Sequence, residues 1–401
     1  MVGRVAYIRD GDLWVQELPE GAPRRLTADD GYGAPDLSPS GQWILVGAKD
    51  GFFTVRADGS ETHRLPLVAN APRPVWSPVA DELADLDGEG RPSVMKPDGT
   101  MRRVVAEERN AGGPTWSPDG LWLAYTRGAP DRSSVGIWRV PVNGGQPQMV
   151  YEKRGEGPQC LIMGPWVPGD SILFWDMSVC SASITADGLP LMAVSVTGGT
   201  APRQLVEEML IYPGFLSIAP DGRLAAAAGI DRQTWTNKRI VVVNTQARPI
   251  SPVEMAAISP AWAPNADRIA FIAMPDIGSV GGGDPARQGI MQRRIWSVAP
   301  DGTDLRRLTD DARFRDEAPG WTQDGSQILF CRLDQNTKAS LWVVSAGRAS
   351  LPPHGGGAGG VGCGQDPARA RGRARRSAGD CGAARRSGEG HARSSAQPLR
   401  Q

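Results

Sequence analysis

The chain has 401 residues with 44 basic and 44 acidic side chains, but residues 351–401 hold nine arginines against three acids, which leaves 35 basic and 41 acidic groups in residues 1–350. A mildly acidic body argues against a nucleic-acid-binding surface. No apolar run is long enough to cross a bilayer, and the amino end lacks the basic, apolar, small-residue order of a signal peptide.

From the amino end, Val5-Ala6-Tyr7-Ile8 reads as a strand and Leu13-Trp14-Val15 as the next, followed by Arg24-Arg25-Leu26-Thr27. The same sequence of events then recurs down the chain, preceded each time by a corner whose fullest copy is Pro114-Thr115-Trp116-Ser117-Pro118-Asp119-Gly120. Trp116 ends a short strand, Pro118 presets φ for a turn, and Asp119-Gly120 supply a local hydrogen-bond acceptor and a permissive φ. Each repeat therefore reads as four short strands with the corner between the first and the second. Second strands are expected over 5–8, 44–46, 83–86, 123–125, 172–174, 224–227, 269–271 and 328–330, and each has a third strand after it. First and fourth strands number only seven each, the missing ones falling before Val5 and after Ser345. A small four-stranded sheet buries its faces only against neighbouring sheets, so such repeats close into a ring. The expected fold is all-β, a β-propeller of eight four-stranded blade units with seven as the fallback count, the first and last incomplete.

Together, the runs Pro-x-Trp-Ser-Pro-Asp-Gly, then Ile-Trp or Leu-Trp, then Arg-Arg-Leu-Thr resemble the WD40-like repeats of the TolB family of propellers over residues 5–345, with imperfect corners at Leu37, Val79-Ala80 and Gln323. The repeat spacing of the tryptophans marks them as packing between blades rather than as ligand stackers. All thirteen lie before residue 350. The domain reading is a TolB-like propeller over 1–350 and a disordered Arg/Gly/Ala-rich tail over 351–401. That tail holds no aromatic residue, cannot bury a core, and reads as the product of another reading frame.

The resemblance implies a binding propeller of the bacterial envelope, periplasmic or extracellular, with a protein or peptide partner, although this chain carries no signal peptide; without the resemblance the expected place is the cytoplasm. It also leaves open the propeller portion of a longer enzyme, such as a prolyl oligopeptidase-type serine peptidase. Catalysis within the chain itself is not expected. Outside the tail the only histidine is His63, there is no Gly-x-Ser-x-Gly elbow, and the cysteines lack paired C-x-x-C spacing. Acidic pairs such as Asp10 and Asp12, or Asp85 and Asp87, read as turn formers. No cofactor or metal is expected, and the chain is expected to be a monomer.

Recognition is expected on the face that carries the second-to-third-strand loops and the blade-to-blade connections, because the enlarged segments 176–190, 231–238 and 274–293 all fall there. Arg154, Trp235, Arg293, Arg313, Phe314 and Arg315 are the residues expected to line its mouth. Cys160 opens the first strand of its repeat, and Cys180 lies just past the end of the second. Antiparallel neighbours place those positions side by side, within reach of a disulfide. Such a bond would suit an oxidising compartment.

Overall fold

The repeated corner is held by its own side chains. Ser117 Oγ donates to Asp119 Oδ1 at 2.5 Å, and the N–H groups of Leu121 and Trp122 bond to Asp119 Oδ1 and Ser117 Oγ. Gly120, with φ of 69°, closes the turn by donating to the Ser117 carbonyl. The imperfect corners keep this circuit in part. With Gln323 in place of proline, Thr322 still donates to Asp324 at 2.5 Å, while at Leu37 the hydroxyl of Ser40 replaces the carboxylate and bonds Ser38. In these three corners a hydroxyl is followed two residues later by an acceptor, and the Thr322 copy shows that proline is dispensable; the corners at Ala219 and Ala263 close the turn by backbone bonds without the hydroxyl.

In this computed structural model, residues 3–346 are described apart from 19–20, 29–30, 68–70, 182 and 245. The strands form eight successive antiparallel units. The first has three strands, Gly3–Arg9, Asp12–Leu18 and Arg24–Arg25; the next six have four each; the last has three, Arg315–Trp321, Gln327–Leu333 and Ala339–Ser345. Units five and six are joined into one continuous sheet by a single pairing of Met209 with Ala228. Among the described residues the first unit thus has no inner strand and the last no outer one, in line with the repeat count. The ring closes by packing: Leu341 of the last unit lies against Val5, Tyr7 and Trp14 of the first. The tail expected over 351–401 lies outside the described residues.

Three pairs of adjacent units are latched by corner tryptophans. The indole N–H of Trp76 donates to the Asp36 carbonyl of the preceding unit at 3.1 Å, that of Trp116 to Val75 at 3.0 Å, and that of Trp321 to Ala261 at 2.9 Å. The prolines of two Pro-x-Trp runs mark a bulge. Ser259 and Ala318 take φ near +50° just before Pro260 and Pro319, where the inner strands Met255–Trp262 and Arg315–Trp321 lose register with their neighbours. A residue before proline is barred from the ordinary helical region, and here the chain bulges instead. The largest core cluster runs continuously through units five to eight, from Val167 to Val344, while the first four units are filled by smaller clusters.

Candidate binding face

The second-to-third-strand connections and the links between units share one face, and three of these connections are large. In unit five the loop after Ser171–Met177 is tied by a disulfide between Cys160 and Cys180, whose Cα atoms are 5.4 Å apart. It then makes a 3-10 turn at Ile184–Ala186. In unit six the loop before Arg239–Val243 is organised by Lys238, which is fully buried and donates to the carbonyls of Ile230 at 2.6 Å and Asp231 at 2.9 Å. Burial draws this amine down to about 8, against the pull of the Asp231 and Asp276 charges. Asp276, from unit seven, holds the same loop from the other side by accepting from Thr236 Oγ1 at 2.6 Å and Asn237 N at 2.8 Å. Burial works against the Asp276 carboxylate, yet these bonds and one from Gly278 keep it below the usual range.

The loop of unit seven carries the α-helix Asp284–Ile290, whose Ala286 and Ile290 pack on Trp235, Ala256 and Met274. Behind it, fully buried Arg293 donates to Thr234 Oγ1 at 2.6 Å and pairs with Glu317 at 2.7 Å, joining the loops of units six and seven to the inner strand of unit eight. Arg332 is clamped by Asp316 and lies 4.5 Å from the centre of the Trp342 ring. These loops are therefore braced before any ligand arrives.

Between the loops of units five and six lies a cleft of about 500 Å³, lined by the acidic residues Asp176, Asp187, Glu208 and Asp231 with Ile184 and Ile230 among them. Asp176 is paired with Lys153, and Asp187 with Arg232 at 2.7 Å. Glu208 is exposed and has no ion-pair partner among the described residues. The Asp231 N–H donates to the Asp187 carbonyl at 2.7 Å, which stitches the two loops together at the rim. A cleft with surplus carboxylate and aliphatic walls suits a group that is cationic at one end and apolar along its stem. Among the described residues no group of three or more His, Cys, Asp or Glu is placed to hold a metal ion. His63 faces Glu61 at 3.0 Å in the outer strand Thr62–Arg64.

The residues expected at the mouth divide. Arg154 and Arg313 are exposed and pair with Glu152 and Asp311. Phe314 is half-buried, 6.4 Å from Trp342, with the Arg313 and Arg332 guanidinium groups each 5.4 Å from its ring. Trp235, Arg293 and Arg315 are buried and brace the loops from beneath. The carboxylates of the cleft were not among the expected mouth residues. For Asp176, Asp187 and Asp231 the signal in the sequence is that acids recur in the enlarged loops of two successive repeats, while Glu208 lies in the outer strand Arg203–Met209.

Fold and corner together define a β-propeller with TolB-like repeats. Among curated proteins, the chain is 48% identical over 52 residues to the Tol-Pal system protein TolB 1 of Novosphingobium aromaticivorans, which is 13% of this chain and 11% of that protein. It is 31% identical over 139 residues to an uncharacterized protein of Agrobacterium fabrum, or 29% of this chain and 47% of that one. The chain thus spans about half the length of one curated relative and about a tenth of the other. Among solved structures, dipeptidyl peptidase 4 of Porphyromonas gingivalis is similar in fold, with a TM-score of 0.56 at 10% identity over 84% of this chain and 55% of that one. No family model matches the chain. Among the described residues no helix is long and apolar enough to cross a membrane.

Proposed function

We propose that this chain is a non-catalytic binding propeller that presents its loop-bearing face to a protein or peptide partner in the bacterial envelope. The observation that carries the reading is the preformed acidic cleft between units five and six, whose rims are braced by a disulfide and by buried Lys238. Rigid loops lose little conformational freedom on binding, which favours tight recognition. The likeness to TolB supports an envelope setting, and a disulfide suits an oxidising compartment. Arg154, Arg313 and Phe314 lie on the same face and would contact a large partner at its edge, while Trp235, Arg293 and Arg315 hold the loops in place.

The second reading is a propeller portion of a longer enzyme such as a prolyl oligopeptidase-type peptidase, and it rests on fold likeness to a peptidase alone. One experiment separates the two. The purified chain is mixed with Lys- and Arg-bearing amphipathic peptides, and both retention and peptide mass are measured. The expected result is retention with unchanged masses, weakened roughly fivefold in Glu208→Gln, as loss of one charge contact of about 1 kcal/mol implies. Shortened peptides would favour the enzyme reading. Retention indifferent to Glu208→Gln would move the site off the cleft.

A further inference from the structure

Among the described residues eight large apolar side chains are exposed, and they fall into two groups rather than being scattered. Val79, Met101, Leu121 and Met149 lie at or next to the corners and third-to-fourth-strand turns of units three and four. Val179, Ile230, Val253 and Val280 lie on the opposite, loop-bearing face of units five to seven. Val179 is in the loop of unit five, Ile230 in that of unit six, Val253 in the link from unit six to unit seven, and Val280 in the loop of unit seven. Val253 leaves 75% of its surface open, in a residue type that is most often buried.

Hydrogen bonds join these connections into one rim. Ile230 itself lines the acidic cleft, and Val179 follows Ser178, which lines it too. Lys238 holds the Ile230 carbonyl at 2.6 Å from beneath. Asp276 is the next anchor: its carboxylate accepts the N–H groups of Asn237 and Gly278, each at 2.8 Å, and its own N–H donates to the Glu254 carbonyl at 2.8 Å. One side chain thus ties the link that carries Val253, and the loop that carries Val280, to the loop of unit six. The Val280 N–H then donates to the Gly278 carbonyl at 2.9 Å. The apolar side chains therefore continue the cleft toward unit seven on a braced surface.

The charge left over on this surface is negative. Its exposed bases are taken, Arg232 by Asp187 at 2.7 Å and Arg287 by Asp284 at 3.0 Å. Half-buried Arg239, below the rim, donates to the Ser251 carbonyl at 3.0 Å. Glu208 in the cleft and Glu254 beside Val253 are exposed and have no ion-pair partner among the described residues. A second copy of this chain meeting the rim face to face would set these acids against like charge, whereas a cationic partner is drawn to them.

We propose that the rim docks a segment of a partner protein in which lysines or arginines are interleaved with aliphatic residues along one face. One cation reaches Glu208 in the cleft, the aliphatic side chains cover Ile230, Val253 and Val280, and a second cation reaches Glu254. This deepens the cleft reading and rests on it, and the test separates the two. Two labelled peptides, acetyl-(Leu-Lys-Lys-Leu)3 amide and its copy with serine at every leucine, are titrated against the full chain by fluorescence anisotropy. The double variant Val253→Ser, Val280→Ser should weaken the leucine peptide about tenfold, or about 1.4 kcal/mol, with an unchanged melting midpoint and unchanged affinity for the serine peptide. Glu208→Gln should weaken both peptides. Leucine-peptide binding that ignores the double variant but still responds to Glu208→Gln would overturn the rim and leave the cleft reading standing. Indifference to both variants, or no binding at all, would overturn rim and cleft together. Binding only to a chain shortened to residue 350 would show that the chain's own basic tail covers the rim and would overturn a partner in trans. Self-association of the parent that the double variant abolishes would show a second copy there instead, with the same consequence.

Discussion

Arg293 shows how far a side chain's role can lie from its residue type. An arginine in an enlarged loop reads as a contact for a partner, yet its guanidinium is buried between Thr234 and Glu317. Replacing it by methionine would keep much of the volume and leave Glu317 without its closest cation in a site of low polarity. The expected loss is about 3 kcal/mol of unfolding free energy, read as a lower denaturation midpoint in urea at unchanged slope. A variant as stable as the parent would mean that Glu317 relaxes to water and that Arg293 is not a strut. Trp235 is the same kind of case: its position in the loop was legible, but its burial under the helix Asp284–Ile290 was not. Exposed and buried arginines or tryptophans look alike in a sequence when the fold around the loop is irregular.

The turns make a prediction about acid. Hydrogen bonds from the Ser117 hydroxyl and the Leu121 N–H hold the Asp119 carboxyl below the usual range, and those from Thr322 and Ser326 bring Asp324 down to about 2. Asp58, Asp98 and Asp301 are lowered in the same way by Ser60, Thr100 and Thr303 in the turns that lead to outer strands. A carboxyl with a folded-state value below its unfolded one contributes stability above about pH 4, and that contribution is lost as pH falls toward about 2. The thermal midpoint followed by circular dichroism should therefore drop between pH 4 and 2. The drop should be shallower in the double variant Asp119→Asn, Asp324→Asn, which has fewer protons to take up. An identical slope in parent and variant would show that acid acts elsewhere. These turns were the most legible elements of the chain, because hydroxyl, acid and glycine all interact within a few residues of sequence.

Across the whole ring, stability should be uneven. Units five to eight share one continuous core, while the first unit has three strands and meets the last through a small cluster of Val5, Tyr7, Trp14 and Leu341. In a repeat array each unit is held by its neighbours, so the unit with the least shared surface opens first. Native-state hydrogen exchange should release the amides of Gly3–Arg9 and Asp12–Leu18 well before those of Leu224–Ala228 and Ile269–Pro275. Uniform protection across all eight units would mean that the seam is as strong as the interior.

The sequence by itself determined the strands, their order, the corner between first and second strands and the three-stranded first and last units found among the described residues. Each of these is written in local patterns: two-residue alternation, turn residues at fixed offsets and a period repeated along the chain. It also placed Cys160 and Cys180 as strand neighbours, since antiparallel pairing follows from strand order. Only the tertiary structure decided which loop residues face solvent. Asp187 and Asp231 come from two connections and meet Glu208 of the outer strand Arg203–Met209 at one cleft, while Trp235 and Arg293 turn inward. The physical reason is that the path of a long loop is set by contacts across units, such as Lys238 with Ile230 or Arg293 with Glu317, and these contacts leave no periodic trace in the chain.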